Sequence, residues 1–143
     1  MASSAALYTP EVLALATSLA QFPLTDDLAL RGEARSPACG SRIELGLALD
    51  GEGRIERLGM AAHACAIGQA SAAIFAAAAP GNDLAGLEQA HIQLQAWLGG
   101  GALPDWPGLA AINAAQGFPG RHGAILLAWR AAISALSQAA TSV

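Results

Sequence analysis

The sequence predicts an α+β fold in which a small antiparallel sheet of about three strands is covered by helices. Two observations carry this prediction. The run RIELGLALD alternates apolar and polar residues, and the turn sequence DGEG and a second strand-like run follow it, which is typical of a β-hairpin. From Cys65 onward the alternation stops, and long alanine-rich segments with helical spacing replace it.

The N-terminal segment YTPEVLALATSLAQF predicts the first helix. Thr9 is a suitable N-cap, Pro10 suits the first helical position, and Glu11 favours the positive end of the helix dipole. The stretch from Leu28 to Ser36 partly alternates and predicts a first strand.

The hairpin then supplies the second and third strands, as RIELGLALD and RIERLGMAA. One face of the first of these runs is wholly apolar, and it consists of Ile43, Leu45, Leu47 and Leu49. Because side chains alternate along a strand, this face is expected to lie on the core.

Three helical segments follow the hairpin. The run from Cys65 to Ala79 predicts a buried helix that ends at PGND, with Ile67, Ser71, Ile74, Phe75 and Ala78 on one face. Asp83 is placed to cap the next helix, LAGLEQAHIQLQAWL. LAAIN predicts a helical turn or two, and RHGAILLAWRAAISALSQA predicts a C-terminal helix.

Composition and charge narrow the function classes. The 143 residues are 54% hydrophobic and 13% charged, and they predict a single domain spanning 1–143 with a substantial core. The net charge of −4 argues against sequence-independent binding of nucleic acid. The chain has no lysine, which excludes Schiff-base chemistry and a P-loop. No apolar run is long enough for a membrane span and no signal peptide is seen, so a cytoplasmic location is expected.

The chain contains two cysteines, Cys39 and Cys65, and both are candidate functional residues. Two thiols do not make a disulfide scaffold. Two interpretations remain open from the residues alone. The thiols are either a pair that does chemistry or two small buried hydrophobes.

Three blocks around these cysteines, in order, resemble motifs of one family. SPACGSRIEL resembles the family pattern NPxCGDxxxL, ACAIGQASAAI resembles GCAISxASAS, and FPGRHGAILLAW resembles FPxRxKCAxLAW. The family is that of the iron–sulfur cluster assembly scaffolds, with the IscU and NifU N-terminal fold, and the SufU-like branch is the most similar. The resemblance covers nearly the whole chain.

The resemblance implies a non-enzymatic scaffold in which three cysteines and one aspartate converge at one end of the molecule. In the family these residues hold zinc or a nascent iron–sulfur cluster, for which thiolates are suitable ligands. The family's scaffolds receive sulfur from a cysteine desulfurase, and acceptor proteins are their further partners. Cys39 and Cys65 match the first two family cysteines, and Arg121 is a family position able to approach a thiolate or an acidic group of a partner.

The sequence departs from the family pattern at the remaining ligands. Ser41 stands where the family has its aspartate, and Ala124 stands where it has its third cysteine. Gly123 replaces the histidine that IscU proteins often carry just before that cysteine. Two of four expected metal ligands are therefore present, and Ser41 is a neutral substitute at the cofactor-binding position.

Two histidines are candidates to complete a metal site. His63 lies two residues before Cys65, and His122 lies two residues before Ala124. Together with Cys39 and Cys65 they make up a Cys₂His₂ set, which is an ordinary zinc ligand set. The alternative is that both histidines lie on surface loops.

Three functions are therefore compatible with the sequence. The first is a scaffold or sulfur acceptor that binds iron, zinc or a cluster. The second is a degenerate homologue that keeps the fold and acts as a partner-binding or regulatory protein. The third is a two-cysteine redox protein, which lacks the support of a Cys-x-x-Cys motif.

Overall fold

The computed structural model describes residues 7–37 and 40–141, the last two of these by their backbone only. Within them the chain forms one three-stranded antiparallel sheet and four α-helices, which confirms the predicted α+β class. In chain order the elements are α1 (Pro10–Ser18), β1 (Leu30–Ser36), β2 (Ser41–Leu49), β3 (Ile55–His63), α2 (Ala66–Ala78), α3 (Leu84–Leu98) and α4 (His122–Thr141). Short 3₁₀ helices occupy Leu19–Gln21, Leu109–Gly117 and Pro119–Arg121.

The sheet has the strand order β1-β2-β3, and each strand is antiparallel to its neighbour. The alternation predicted for β2 is confirmed, because three side chains of its inner face are fully buried: Ile43, Leu45 and Leu47. Leu49, predicted to join them, is only half-buried. The register between β2 and β3 shifts at Ala48 and Leu49, and such an irregularity redirects the side chains that follow it.

Helices cover the inner face of the sheet. α4 packs across β1 and β2, and it also contacts α2 and α3. Its buried surface is rich in alanine, which permits close packing: Ala124, Ala128, Ala131, Ala132 and Ala135. Residues 22–28 lie over part of the outer face, where a Cβ at Gly59 would meet Pro23. Most of the remaining outer face is exposed, and its charged side chains include Glu33, Arg35, Arg42 and Glu44.

The helix starts follow the predicted capping. Thr9 accepts a hydrogen bond from the backbone N–H of Val12 at 3.1 Å, and Pro10 occupies the first turn of α1. Asp83 accepts one from the backbone N–H of Gly86 at 2.9 Å at the start of α3. α1 ends at Ser18, earlier than the sequence pattern indicated, because a 3₁₀ turn follows it.

α2 is buried on more sides than the single face that the sequence predicted. α1, α4 and the 3₁₀ helix Leu109–Gly117 all contact it. An aromatic cluster of Phe75, Trp106 and Trp129 packs beside it, with ring centroids 5.2 to 5.7 Å apart. Among the described helices, none combines the length and apolar character that crossing a membrane requires.

Candidate functional site

The first cysteine-bearing segment is the connection between β1 and β2. Ser36 and Ser41 are register partners at the end of this hairpin, and their relative exposures are only 4% and 5%. Gly40 has a φ of +71°, and its backbone N–H donates to the carbonyl of Ser36 at 2.9 Å. Cys39 lies outside the described residues, so its predicted proximity to Cys65 stays a prediction. Both described serines border the connection that carries it.

The second cysteine, Cys65, is the N-cap residue of α2. Its φ and ψ of −64° and 168° are those of an N-cap, but its side chain makes no capping hydrogen bond. The thiol is free and half-buried. The side-chain amide of Gln69 donates to the carbonyl of Ala64 at 2.9 Å, which fixes the turn before the helix. Serine or aspartate at this position would accept a capping hydrogen bond, whereas the Cys65 side chain packs partly against the core and leaves the helix N-terminus without a side-chain cap.

The first turns of α2 and α4 lie against each other. A Cβ placed on Gly68 would lie 3.2 Å from the Cβ of Ala124 and 2.9 Å from that of Ala64. The hydroxyl of Ser71 donates to the carbonyl of Ile125 at 2.8 Å inside this interface and fixes the relative position of the two helices. Ala124 therefore packs against Gly68, which lies three residues after Cys65 in the first turn of α2. Its side chain is buried and offers no ligand atom.

Gly123 packs against the hairpin in a way that the sequence did not reveal. A Cβ on Gly123 would lie 2.3 Å from the Oγ of Ser36 and 3.2 Å from its Cβ. Real Cβ atoms essentially never approach a heavy atom so closely, so any other residue at position 123 would require the Ser36 hydroxyl to rotate away and its Cβ to give by a few tenths of an ångström. A ligand-bearing side chain at position 123 is thus excluded unless Ser36 moves.

The two candidate histidines lie in different environments. His63 is exposed at the end of β3, where it pairs with Arg42 on the outer face of the sheet. Ser41, on the inner side, is buried. The Nε2 atom of His122 lies 3.1 Å from the carbonyl oxygen of Ala115 and 3.0 Å from that of Gln116. Because Nε2–H donates to carbonyls there, Nδ1 is the nitrogen of His122 that remains for a metal ion.

Arg121 lies in the 3₁₀ helix that leads into α4, rather than in α4 itself as the sequence suggested. Its side chain is half-buried, and the described residues offer it no ion pair within 4.0 Å. It lies next to His122 and Gly123 at the cysteine-bearing end of the fold.

The described residues do not form a closed metal site. Across residues 7–37 and 40–141, no three His, Cys, Asp or Glu side chains are grouped closely enough to hold a metal ion. Structural zinc sites are almost always four-coordinate. Ser41 and Ala124 supply neither the carboxylate nor the third thiolate that the motif resemblance implies. The predicted set of Cys39, Cys65, His63 and His122 stays a prediction, because Cys39 lies outside the described residues.

The arrangement of these elements is that of a known class of fold. The chain superimposes with a TM-score of 0.85 on the N-terminal part of a nitrogen-fixing NifU-like protein from Brucella abortus, at 22% identity over 96% of each chain. It superimposes with a TM-score of 0.81 on a candidate iron–sulfur cluster assembly scaffold protein of the SUF system from Fervidobacterium islandicum AW-1. That match has 19% identity and covers 94% of this chain and 99% of the other.

These structures establish the fold that the motif resemblance implied: the chain has the fold of NifU-like N-terminal domains and SufU-type scaffold proteins. No protein-family model and no curated protein sequence matches the chain. The fold is therefore shared with these proteins, whereas Ser41 and Ala124 depart from the motifs on which the sequence resemblance rests.

Proposed function

We propose that this protein takes part in iron–sulfur cluster assembly, as a scaffold or sulfur acceptor and not as an enzyme. The observation that carries the proposal is the position of Cys65. It occupies the N-cap of α2 without capping it, beside the first turn of α4, in a fold shared with scaffold proteins. A half-buried thiol at a helix N-terminus, where the helix dipole favours the thiolate, is suited to thiol chemistry.

The proposed chemistry is the acceptance of sulfur from a cysteine desulfurase. The thiolate of Cys65 or Cys39 attacks the outer sulfur of the desulfurase persulfide. One S–S bond forms as another breaks, the desulfurase cysteine leaves as a thiolate, and it takes up the proton that the acceptor thiol lost. No external oxidant or reductant is needed for this exchange. Acceptor proteins are the proposed next partners.

Iron, zinc or a cluster is the proposed cargo, and it is held weakly. In this proposal Cys39 and Cys65 supply thiolates, and Ser41 and Arg121 are their expected neighbours. His63 and the Nδ1 atom of His122 are candidates to add a ligand. Two thiolates leave a tetrahedral ion dependent on water or on histidines. A single domain over residues 1–143 and a cytoplasmic location belong to the same proposal.

The test is desulfurase-dependent labelling with ³⁵S-cysteine under anaerobic conditions. We expect reductant-sensitive label on the wild type, less on Cys39→Ser and on Cys65→Ser, and none on the double variant. Metal and acid-labile sulfide are measured on the same samples. Absence of label and of metal in the wild type, with the desulfurase active toward a known acceptor, would contradict the proposal.

A regulatory, partner-binding role is the second candidate, and one observation favours it. Ala124 offers no ligand atom and Gly123 is packed on Ser36, so the α4 side of the site supplies no thiolate. A protein that binds the desulfurase but takes neither sulfur nor metal would fit this role. A Cys39–Cys65 disulfide that forms rapidly and cycles with a reductant would instead support the redox alternative.

A further inference from the structure

Charge is distributed unevenly between the cysteine-bearing end and the rest of the chain. Three segments meet at this end: residues 35–43, 61–69 and 117–125. They contain three arginines, two histidines and no Asp or Glu, so their formal charge is +3. The other four arginines and all eleven acidic residues lie outside these segments and give −7. The three segments are therefore basic in an acidic protein, although Glu33 and Glu44 adjoin them on the outer face of the sheet.

Part of this charge forms a row across the outer face of the sheet. Arg35 of β1 is the register partner of Arg42 of β2, and Arg42 is the partner of His63 of β3. All three side chains are exposed. Like charges directly opposite each other destabilise a sheet. We call Arg35, Arg42 and His63 the arginine row.

Neighbouring acids neutralise only part of the arginine row. Glu33 pairs with Arg35 at 2.9 Å, and Glu44 lies 3.9 Å from Arg31, which is outside the row. Arg42 makes no ion pair with any residue that the structure describes. Glu33 and Glu44 line the same shallow cleft as Arg42 and His63, but neither makes an ion pair with Arg42, whose exposed side chain is open to a further anionic ligand.

The arginine row borders both cysteine-bearing segments. Arg42 follows Ser41 directly, and His63 lies two residues before Cys65. A protein that exchanges sulfur with these thiols must bring its own chain over this end of the sheet. A carboxylate on that chain would meet Arg42 at the point of contact.

We propose that the arginine row is a docking site for a short acidic segment of a partner protein, with Arg42 as its principal contact. Neighbouring strands are about 4.8 Å apart, so the row spans roughly 10 Å, the length of about three extended residues. Glu33 and Glu44 form a parallel row one step further along the strands, which disfavours a longer polyanion such as nucleic acid. The proposal deepens the proposed function, on which its choice of a sulfur-exchanging partner rests.

The direct test is an NMR titration of the ¹⁵N-labelled full chain with a blocked triglutamate peptide at low salt. We expect saturable chemical-shift changes concentrated at the arginine row, and we expect added salt to weaken the binding. Arg42→Glu should weaken binding about tenfold or more. Arg130→Glu is the matched control, because Arg130 is also exposed and makes no ion pair among the described residues, but it lies on α4 facing α3.

The outcomes separate docking from sulfur chemistry. With a cysteine desulfurase, Arg42→Glu should lower the initial rate of sulfur labelling about tenfold, whereas loading from a small-molecule persulfide should be unchanged. If the wild type takes sulfur from neither donor but binds the peptide at the row, the proposed function is contradicted and the docking site for an acidic segment is retained. Shifts spread evenly over all arginines, equal effects of Arg42→Glu and Arg130→Glu, or occupation of the row by a second copy of the chain would overturn the docking site.

Discussion

The two ends of the sheet differ in how completely their polar groups are satisfied. At the end remote from the cysteines, Asp50 accepts hydrogen bonds from the backbone N–H groups of Glu52 and Arg54, at 2.8 and 3.0 Å. Asp83 caps α3 nearby, and Arg54 pairs with Glu52. Asp50 and Asp83 thus accept the backbone hydrogen bonds expected of aspartate in a turn and at an N-cap, and Arg54 has an acidic partner.

The cysteine end breaks the same rules. Cys65 leaves α2 without a side-chain cap, Arg35 faces Arg42 across two strands, and Arg42 has no acidic partner among the described residues. Local rules are typically broken at functional sites, where stability is exchanged for chemistry or binding. The contrast supports the proposal that the functional site lies at the cysteine end, on grounds separate from the motifs.

The largest effect is expected from restoring ligands at the cysteine end. Ser41→Asp with Ala124→Cys adds one carboxylate and one thiolate, and we expect affinity for zinc or iron to rise about a hundredfold, or about 2.7 kcal/mol. The gain should fade at low pH, because ligands must be deprotonated. Metal content in competition with a chelator is the measurement.

The matched control for this gain is Ser41→Asp with Ala128→Cys, which places the new thiol one helical turn further along the buried side of α4. It should bind no more tightly than Ser41→Asp alone. Tight, stoichiometric metal in the wild type would show that other residues, His63 and His122 first, already complete the site. A repaired variant with a buried, unreactive thiol and no gain would show that position 124 faces away from it.

The next effect concerns the contact that closes position 123. Gly123→Ala would place a Cβ against the Oγ of Ser36. We expect a net decrease of about 1–2 kcal/mol in the free energy of unfolding, in which a helix-propensity gain of about 1 kcal/mol is already included. Ser36→Gly in the same chain should remove most of that loss. Urea unfolding of the four-member cycle measures the coupling. Gly120→Ala is the control, because nothing lies within 4 Å of its added Cβ; equal costs at 120 and 123 would refute the close contact.

A smaller effect of opposite sign is expected at Cys65. Cys65→Asp supplies the missing N-cap, and it should raise the free energy of unfolding by about 1 kcal/mol while lowering sulfur labelling. Cys65→Ala tests the cap alone, since it removes the thiol without adding an acceptor and should not stabilise the fold. A decrease in stability with aspartate would mean that the half-buried thiol packs better than a carboxylate caps.

Sequence reasoning reached the elements of this fold because each has a local signal. Alternation marked β2, and Thr9 and Asp83 marked two helix starts. The motif blocks indicated which segments meet. The contact of Gly123 with Ser36 had no local signal, because 87 residues separate the two and the contact depends on how α4 crosses β1.

The arginine row illustrates an intermediate case. The alternation of β2 places Arg42 and Glu44 on the outer face from sequence alone. The register that sets Arg42 opposite both Arg35 and His63 depends on strand pairing, and a slip of one residue would reverse the faces. The sequence therefore predicts which charged residues lie on the outer face, but it does not predict that Arg42 lies opposite Arg35 and His63.

The smallest effect tests the satisfied end of the sheet. The backbone N–H groups of Arg54 and Glu52 hold the pKa of Asp50 below its usual value of 3.8. Its ionised form is favoured in the folded chain, so its contribution is fully present above pH 3.8 and is lost as the pH falls through the lowered pKa. Asp50→Asn should therefore lower stability more at pH 7 than at pH 3, as measured by urea unfolding. Asp26→Asn, at an exposed position in the loop before β1, is the control. If Asp50→Asn lowers the free energy of unfolding equally at both pH values, the stability of the turn comes from its backbone shape rather than from the carboxylate. The contrast between the two ends of the sheet would then rest on the helix caps alone.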